Sequence, residues 1–181
     1  YEVDCIIYAS GFEITSSYQR RIGFPINGVD GESIYDHWDD GMRTMHGLMA
    51  HGFPNMFLCG GLFVFQLGPN YCYGVDVQAK HVAYTLSELS KRKVRVAQPS
   101  TEAVQRWMDD QLSAESSQAQ LVLGGSPASC TPGYYNQEGT AERYRDVRLE
   151  SYGKGLVAYG RVLEEWRMAG DFDGLELTDE C

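Results

Sequence analysis

Asn55–Arg92, NMFLCGGLFVFQLGPNYCYGVDVQAKHVAYTLSELSKR, carries the signals from which a fold class follows. It opens on a compact apolar run, residues 55 to 61, that stops at Gly60-Gly61 as a strand stops at a turn. It closes on a helix. From Asp76 to Arg92, apolar residues recur at Ala79, Val82, Ala83, Leu86 and Leu89; Asp76 is placed to cap the N-terminus, and Lys91-Arg92-Lys93 complements the negative end of the dipole. Between the two lies an apolar, glycine-bounded loop that runs through Phe63, Phe65 and Leu67 to Asn70. Strand, loop and helix in that order read as one crossover of an α/β fold, and ligands of open α/β sheets bind outside such strand ends.

Upstream, Val3–Ala9 is a second short apolar run, ending at Ser10-Gly11, and reads as a strand covered on both faces. A parallel sheet in which it neighbours residues 55–61 is the expectation. Residues 12–54 show no sustained periodicity, with tight turns at Asn27-Gly28 and Asp30-Gly31, and read as a long irregular excursion. Downstream, Lys93–Val96 is expected to be a short edge strand. A helix follows Ser100, with Val104, Trp107, Met108 and Leu112 on one face. Residues 113–140 lose periodicity. A last helix is expected over 154–168, lined by Leu156, Tyr159, Leu163 and Trp166 and stopped by Gly170, before a short acidic tail. Trp107 and Trp166 read as core.

Of 181 residues, 43% are hydrophobic and 22% charged, a globular balance. The net charge of −10 argues against nucleic acid and anionic membrane surfaces as partners, because both would repel the chain. No stretch reaches the ~20 apolar residues of a spanning helix. Cys5, Cys59, Cys72, Cys130 and Cys181 are widely spaced, without a C-x-x-C pair, and read as reduced thiols of a cytoplasmic protein. A chain that starts at Tyr1 and runs straight into a buried-type strand is expected to be a piece of something longer.

Among residues that invite a chemical assignment, His46 and His51 stand i, i+5 apart, off a common helix face and without a carboxylate at ligand spacing, so no metal site is expected. Asp39-Asp40 reads as a solvated turn. Arg43 suits a structural ion pair or a cofactor phosphate. Tyr134 and Tyr135 follow Pro132-Gly133 in a loop, where aromatic residues have less packing reason to be.

Several segments together resemble a known family. Gly31-x-x-Ile34-x-x-x-Trp38-x-x-Gly41-x-Arg43-Thr44-x-x-Gly47, followed by Gly52-Phe53-Pro54-Asn55-Met56-Phe57, is similar to the stretch that class B flavoprotein monooxygenases carry before the last strand of their flavin domain. Val3–Phe12 resembles that family's "ATGF" strand, with Ser10 for the usual threonine. Asn70–Gln78 resembles the approach to its last flavin-domain helix, and Ser129–Gly139 the C-terminal loop of a Baeyer–Villiger subgroup.

The resemblance implies the C-terminal part of a Baeyer–Villiger monooxygenase, using FAD and NADPH to insert oxygen into a ketone and give an ester or lactone. Its partners are then a small ketone, oxygen and the missing N-terminal domains of the same protein. The implied fold is α/β: residues 1–98 form the closing portion of a Rossmann-like, two-dinucleotide-domain flavoprotein, and residues 99–181 an extension with a mobile loop and a terminal helix. Carried over position by position, Gly11, Gly60 and Gly61 approach the flavin; Asn70 and Tyr71 lie near its ring; Phe63, Phe65 and Leu67 face the substrate; Tyr135 and Asn136 close over the nicotinamide. No catalytic residue is assigned. Ser129-Cys130-Thr131 stands where many members have Ser-Trp-Tyr, and no G-x-G-x-x-G phosphate cradle occurs anywhere, so the chain by itself is expected to be inactive. The rival expectations are a segment of an N- or S-oxygenating relative, and a non-enzymatic α/β interaction module.

Overall fold

The computed structural model describes residues 1–9, 18–39, 41–60, 71–113 and 152–179. Their elements are α1 (Tyr18–Ile22), a 3-10 turn (Val29–Gly31), α2 (Ile34–His37), α3 (Tyr71–Lys91), β1 (Val96–Pro99), α4 (Thr101–Ser113), α5 (Leu156–Ala169) and β2 (Leu175–Thr178).

α3, α4 and α5 form where the sequence places them, with local differences, while α1 and α2 are short helices within the stretch read as irregular. α3 begins at Tyr71, five residues before the expected cap; Asp76 lies inside it and pairs with Lys80 one turn on, at 2.6 Å. A carboxylate within the first two turns still favours the positive end of the dipole, which is why both positions look alike in sequence. α4 is capped by Ser100, whose Oγ accepts from the Ala103 N–H at 3.1 Å. α5 ends on Gly170 in the left-handed region, φ 67°, its N–H bonded to the Trp166 carbonyl.

The larger correction concerns which face of α3 is buried. Gly74, Val77, Gln78, His81, Thr85 and Leu89 are inside, while Ala79, Ala83 and Leu86 of the apolar stripe are exposed. Two of the three polar residues of the buried stripe are hydrogen-bonded, Thr85 Oγ1 to the His81 carbonyl at 2.9 Å and Gln78 to two partners; His81 packs against aromatic rings, its Nδ1 without a hydrogen-bond partner among the described residues.

The described sheet is also not the expected parallel one. β1 and β2 pair antiparallel, Val96 opposite Thr178 through Pro99 opposite Leu175. β1 starts three residues later than Lys93, because Lys93 takes a left-handed φ of 61° that no strand accepts. Residues 3–9 form no strand and are exposed, Ile7 and Tyr8 at 86%; a strand needs a neighbour for its backbone groups, and no described residue runs beside them. Residues 55–60 form no strand either. Asn55, at φ 60°, binds the edge of β1 instead: its N–H donates to the Ala97 carbonyl (2.9 Å), its Oδ1 accepts from the Ala97 N–H (3.0 Å) and its Nδ2 donates to the Arg95 carbonyl (2.9 Å).

The main core gathers Met45, Leu48 and Met49 from a tight turn, Val77 from α3, Ala103, Val104, Trp107 and Met108 from α4, and Leu156, Tyr159 and Leu163 from α5. Trp107 is core as expected, and Trp166 packs on the rim. Ile34, Trp38, Met42, Ala50 and Phe53 form a second cluster, so the irregular excursion is ordered around its own apolar centre. No helix among the described residues is long and apolar enough to cross a membrane.

Candidate functional site

The strand-like run that ends at Gly60 and the helix that starts at Tyr71 meet in space. Gly60 adopts φ +81°, and a Cβ there would stand 2.7 Å from the Tyr71 hydroxyl. Glycine is favoured there by its backbone conformation, and a side chain would also displace the Tyr71 hydroxyl. Of the residues the sequence proposed for cofactor and substrate, these two are described, and the structure brings them together. Gly11, Gly61, Asn70, Phe63, Phe65, Leu67, Tyr135 and Asn136 lie outside the described residues, as does the Cys130–Gly139 loop.

Gly60 is held from behind by a relay that the sequence does not announce. Its N–H donates to Gln78 Oε1 at 2.8 Å, Gln78 Nε2 donates to the Tyr159 hydroxyl at 3.3 Å, and that hydroxyl donates to the His46 carbonyl at 2.8 Å. Gln78 and Tyr159 are both fully buried. Burial holds the Tyr159 phenol well above its ordinary range, so it remains an O–H donor. Glutamine in mid-helix ordinarily reads as solvent-facing, and Tyr159 is visible only as one member of an apolar stripe. The contact spans 81 residues of sequence, beyond any local pattern.

Below the relay is an aromatic nest. His46 and Gly47 both take positive φ, 58° and 69°, at the tip of the turn closed by Met45 and Met49, an arrangement of the type I′ kind. It carries the His46 ring to 5.2 Å from His81, 5.0 Å from Trp107 and 5.6 Å from Trp166. Burial, with the neighbouring His81, lowers the His46 pKa to about 3. Burial, with the Arg167 charge, lowers that of His81 to about 4, against a hydrogen bond to the Leu163 backbone. Both rings are neutral near pH 7, and they pack as aromatic residues.

Other singled-out residues are placed apart. His51 bonds the Pro99 carbonyl at 2.9 Å, His37 meets Glu32 at 3.0 Å, and Asp39 is exposed. The Arg43 carbonyl accepts the Trp38 indole N–H. An apolar groove of about 370 Å³ between residues 26–29 and 53–56 is lined by none of the relay residues. The geometry holds the Gly60 backbone by a hydrogen bond beside the first residue of a long helix.

Comparison with known proteins gives this arrangement a context. No family model matches the chain. It is 37% identical, over 99% of its length, to neopentalenolactone D synthase of Streptomyces avermitilis, of which it covers 29%. It is 34% identical over 97% of its length to Baeyer–Villiger monooxygenase 4 of a Dietzia species, covering 27%. Among solved structures, the polycyclic ketone monooxygenase of Thermothelomyces thermophila superposes with a TM-score of 0.70 at 27% identity, over 90% of this chain and 25% of that one. The chain thus spans under a third of the length of the relatives it matches.

Proposed function

The chain is homologous over nearly its whole length to a segment of the flavin-dependent Baeyer–Villiger monooxygenases, and from that premise we propose that it supplies one wall of the FAD and NADPH site of such an enzyme, which turns a ketone into an ester or lactone. The observation that carries the proposal is the meeting of Gly60 with the start of α3. A glycine at φ +81°, a conformation that strains other residues, leaves the backbone bare enough for a planar ligand to approach closely. The first turn of a 21-residue helix supplies N–H groups and partial positive charge, which suit the electron-rich edge of a flavin. The residues present therefore fit the cofactor. FAD bound here would supply oxygen activation; the protein's share is placement and exclusion of water.

In this reading Gly11 and Gly61 join Gly60 at the flavin, Asn70 joins Tyr71 near the ring, and Phe63, Phe65 and Leu67 wall the ketone pocket. Tyr135 and Asn136 belong to a loop over the nicotinamide. Residues 1–98 close the FAD domain and residues 99–181 are an extension that folds back on it, α5 against α3 and β2 against β1. The phosphate cradles come from sequence outside the chain.

A graft tests this. Residues 1–181 replace the matching segment of the Dietzia monooxygenase, and the purified protein is assayed for bound FAD, ketone-dependent NADPH oxidation and ester formation. The proposal requires flavin to co-purify and NADPH oxidation to respond to ketone. A graft that is folded by circular dichroism and melts cooperatively, yet takes up no FAD from excess, would refute it.

A further inference from the structure

We propose that Gln78 is a positioning residue for the flavin site: it fixes the Gly60 backbone and ties it to α5 and to the His46 turn. The inference rests on the flavin reading of Gly60 given above. Its ground is the polarity of the relay. At one end is a backbone N–H, which only donates; at the other is a backbone carbonyl, which only accepts. Gly60 N–H must therefore meet Oε1, Nε2 must face Tyr159, and the Tyr159 proton must go to His46. One orientation of the amide satisfies every group and the flipped one satisfies neither end. Gln78 is fully buried, so water does not reach its amide in place of these partners.

A side chain that is both acceptor and donor is thus required, which makes Gln78→Glu informative. With its carboxyl protonated, the replacement accepts from Gly60 and donates to Tyr159, as glutamine does. Once ionised it only accepts, and Tyr159 must then abandon either the carboxylate or the His46 carbonyl. Burial favours the protonated form and brings the switch into the neutral-to-alkaline range. Among the described residues, the ionisable groups about the relay are Tyr159 from α5, Cys59 and Tyr71 beside Gly60, and His46 with His81 at its far end; burial raises Tyr159 and Cys59 and keeps both histidines neutral.

The test has two readouts. In the 181-residue chain, exchange of the Gly60 amide is followed by NMR. Protection is expected in the native chain, equal protection in Gln78→Glu at about pH 6, and its loss at about pH 8.5 after correction for intrinsic rates; Tyr159→Phe, which keeps the ring, weakens it at both. In the graft, Gln78→Glu should bind FAD as the parent does at the lower pH and about tenfold more weakly at the higher one, while the parent stays flat. An unprotected Gly60 amide in the native chain, or protection indifferent to both substitutions, overturns the relay. A graft that binds FAD with the same affinity and flavin spectrum in every variant overturns the positioning role alone. If the parent graft binds no flavin, it is the monooxygenase reading that fails, and the positioning role with it, whatever the amide shows.

Discussion

Gly28 and Gly174 are residues whose lack of a side chain the fold uses directly: a Cβ on Gly28 would stand 2.3 Å from the Gly52 carbonyl oxygen. Gly174 combines φ +86° with a missing Cβ that would lie 2.7 Å from the Ala103 methyl and 3.0 Å from Met45 Cε. Gly174→Ala is expected to cost about 2–4 kcal/mol, left-handed strain plus overpacking, read from the urea midpoint. The two buried histidines make a different prediction. Their folded pKa values, about 3 for His46 and about 4 for His81, lie below the ~6.5 of an unfolded histidine. The unfolded chain therefore binds protons first as pH falls. Stability contributed by the neutral rings is complete above about pH 6.5 and is lost progressively toward pH 4, by several kcal/mol for the pair. Urea midpoints should be level from pH 7 to 8 and fall below pH 6; His81→Gln should flatten that slope, and an unchanged slope would contradict the assignment. None of this was legible in sequence. His46 and His81 are 35 positions apart on elements of different kind, and the spacing that was weighed, His46 with His51, joins residues that do not meet.

At the scale of elements, what could be read was what local chemistry decides. Ser100 marks the start of α4 and Gly170 the end of α5, because capping depends on neighbours within one turn. Ser100→Ala should cost about 1 kcal/mol in thermal unfolding and leave the helix otherwise intact. Strands were misjudged in both directions for one reason: a strand exists only through its partner. Val3–Ala9 and Asn55–Gly60 have the right composition and no strand among the described residues to pair with, whereas Leu175-Glu-Leu-Thr178 sits in an acidic tail and pairs with β1. The buried face of α3 was misjudged because Gln78 and His81 meet partners in other elements, while Thr85 bonds back to the His81 carbonyl of its own helix. Gly60 and Tyr71, by contrast, were singled out from sequence through a resemblance, and the structure sets them side by side.

At the scale of the whole molecule, the proposed function makes the chain one part of a flavin site: a glycine turn and helix start braced by Gln78 and Tyr159, with the phosphate cradles supplied by other sequence. Its exposed Val3, Ile6, Ile7 and Tyr8 are then surface that the rest of such an enzyme covers. The most direct test is a titration of the isolated 181-residue chain with FAD, followed by quenching of flavin fluorescence. Without a G-x-G-x-x-G turn the chain should leave flavin fluorescence unquenched at micromolar concentrations. Stoichiometric quenching with a micromolar or tighter Kd would contradict the account and make the chain a flavin-binding module in its own right.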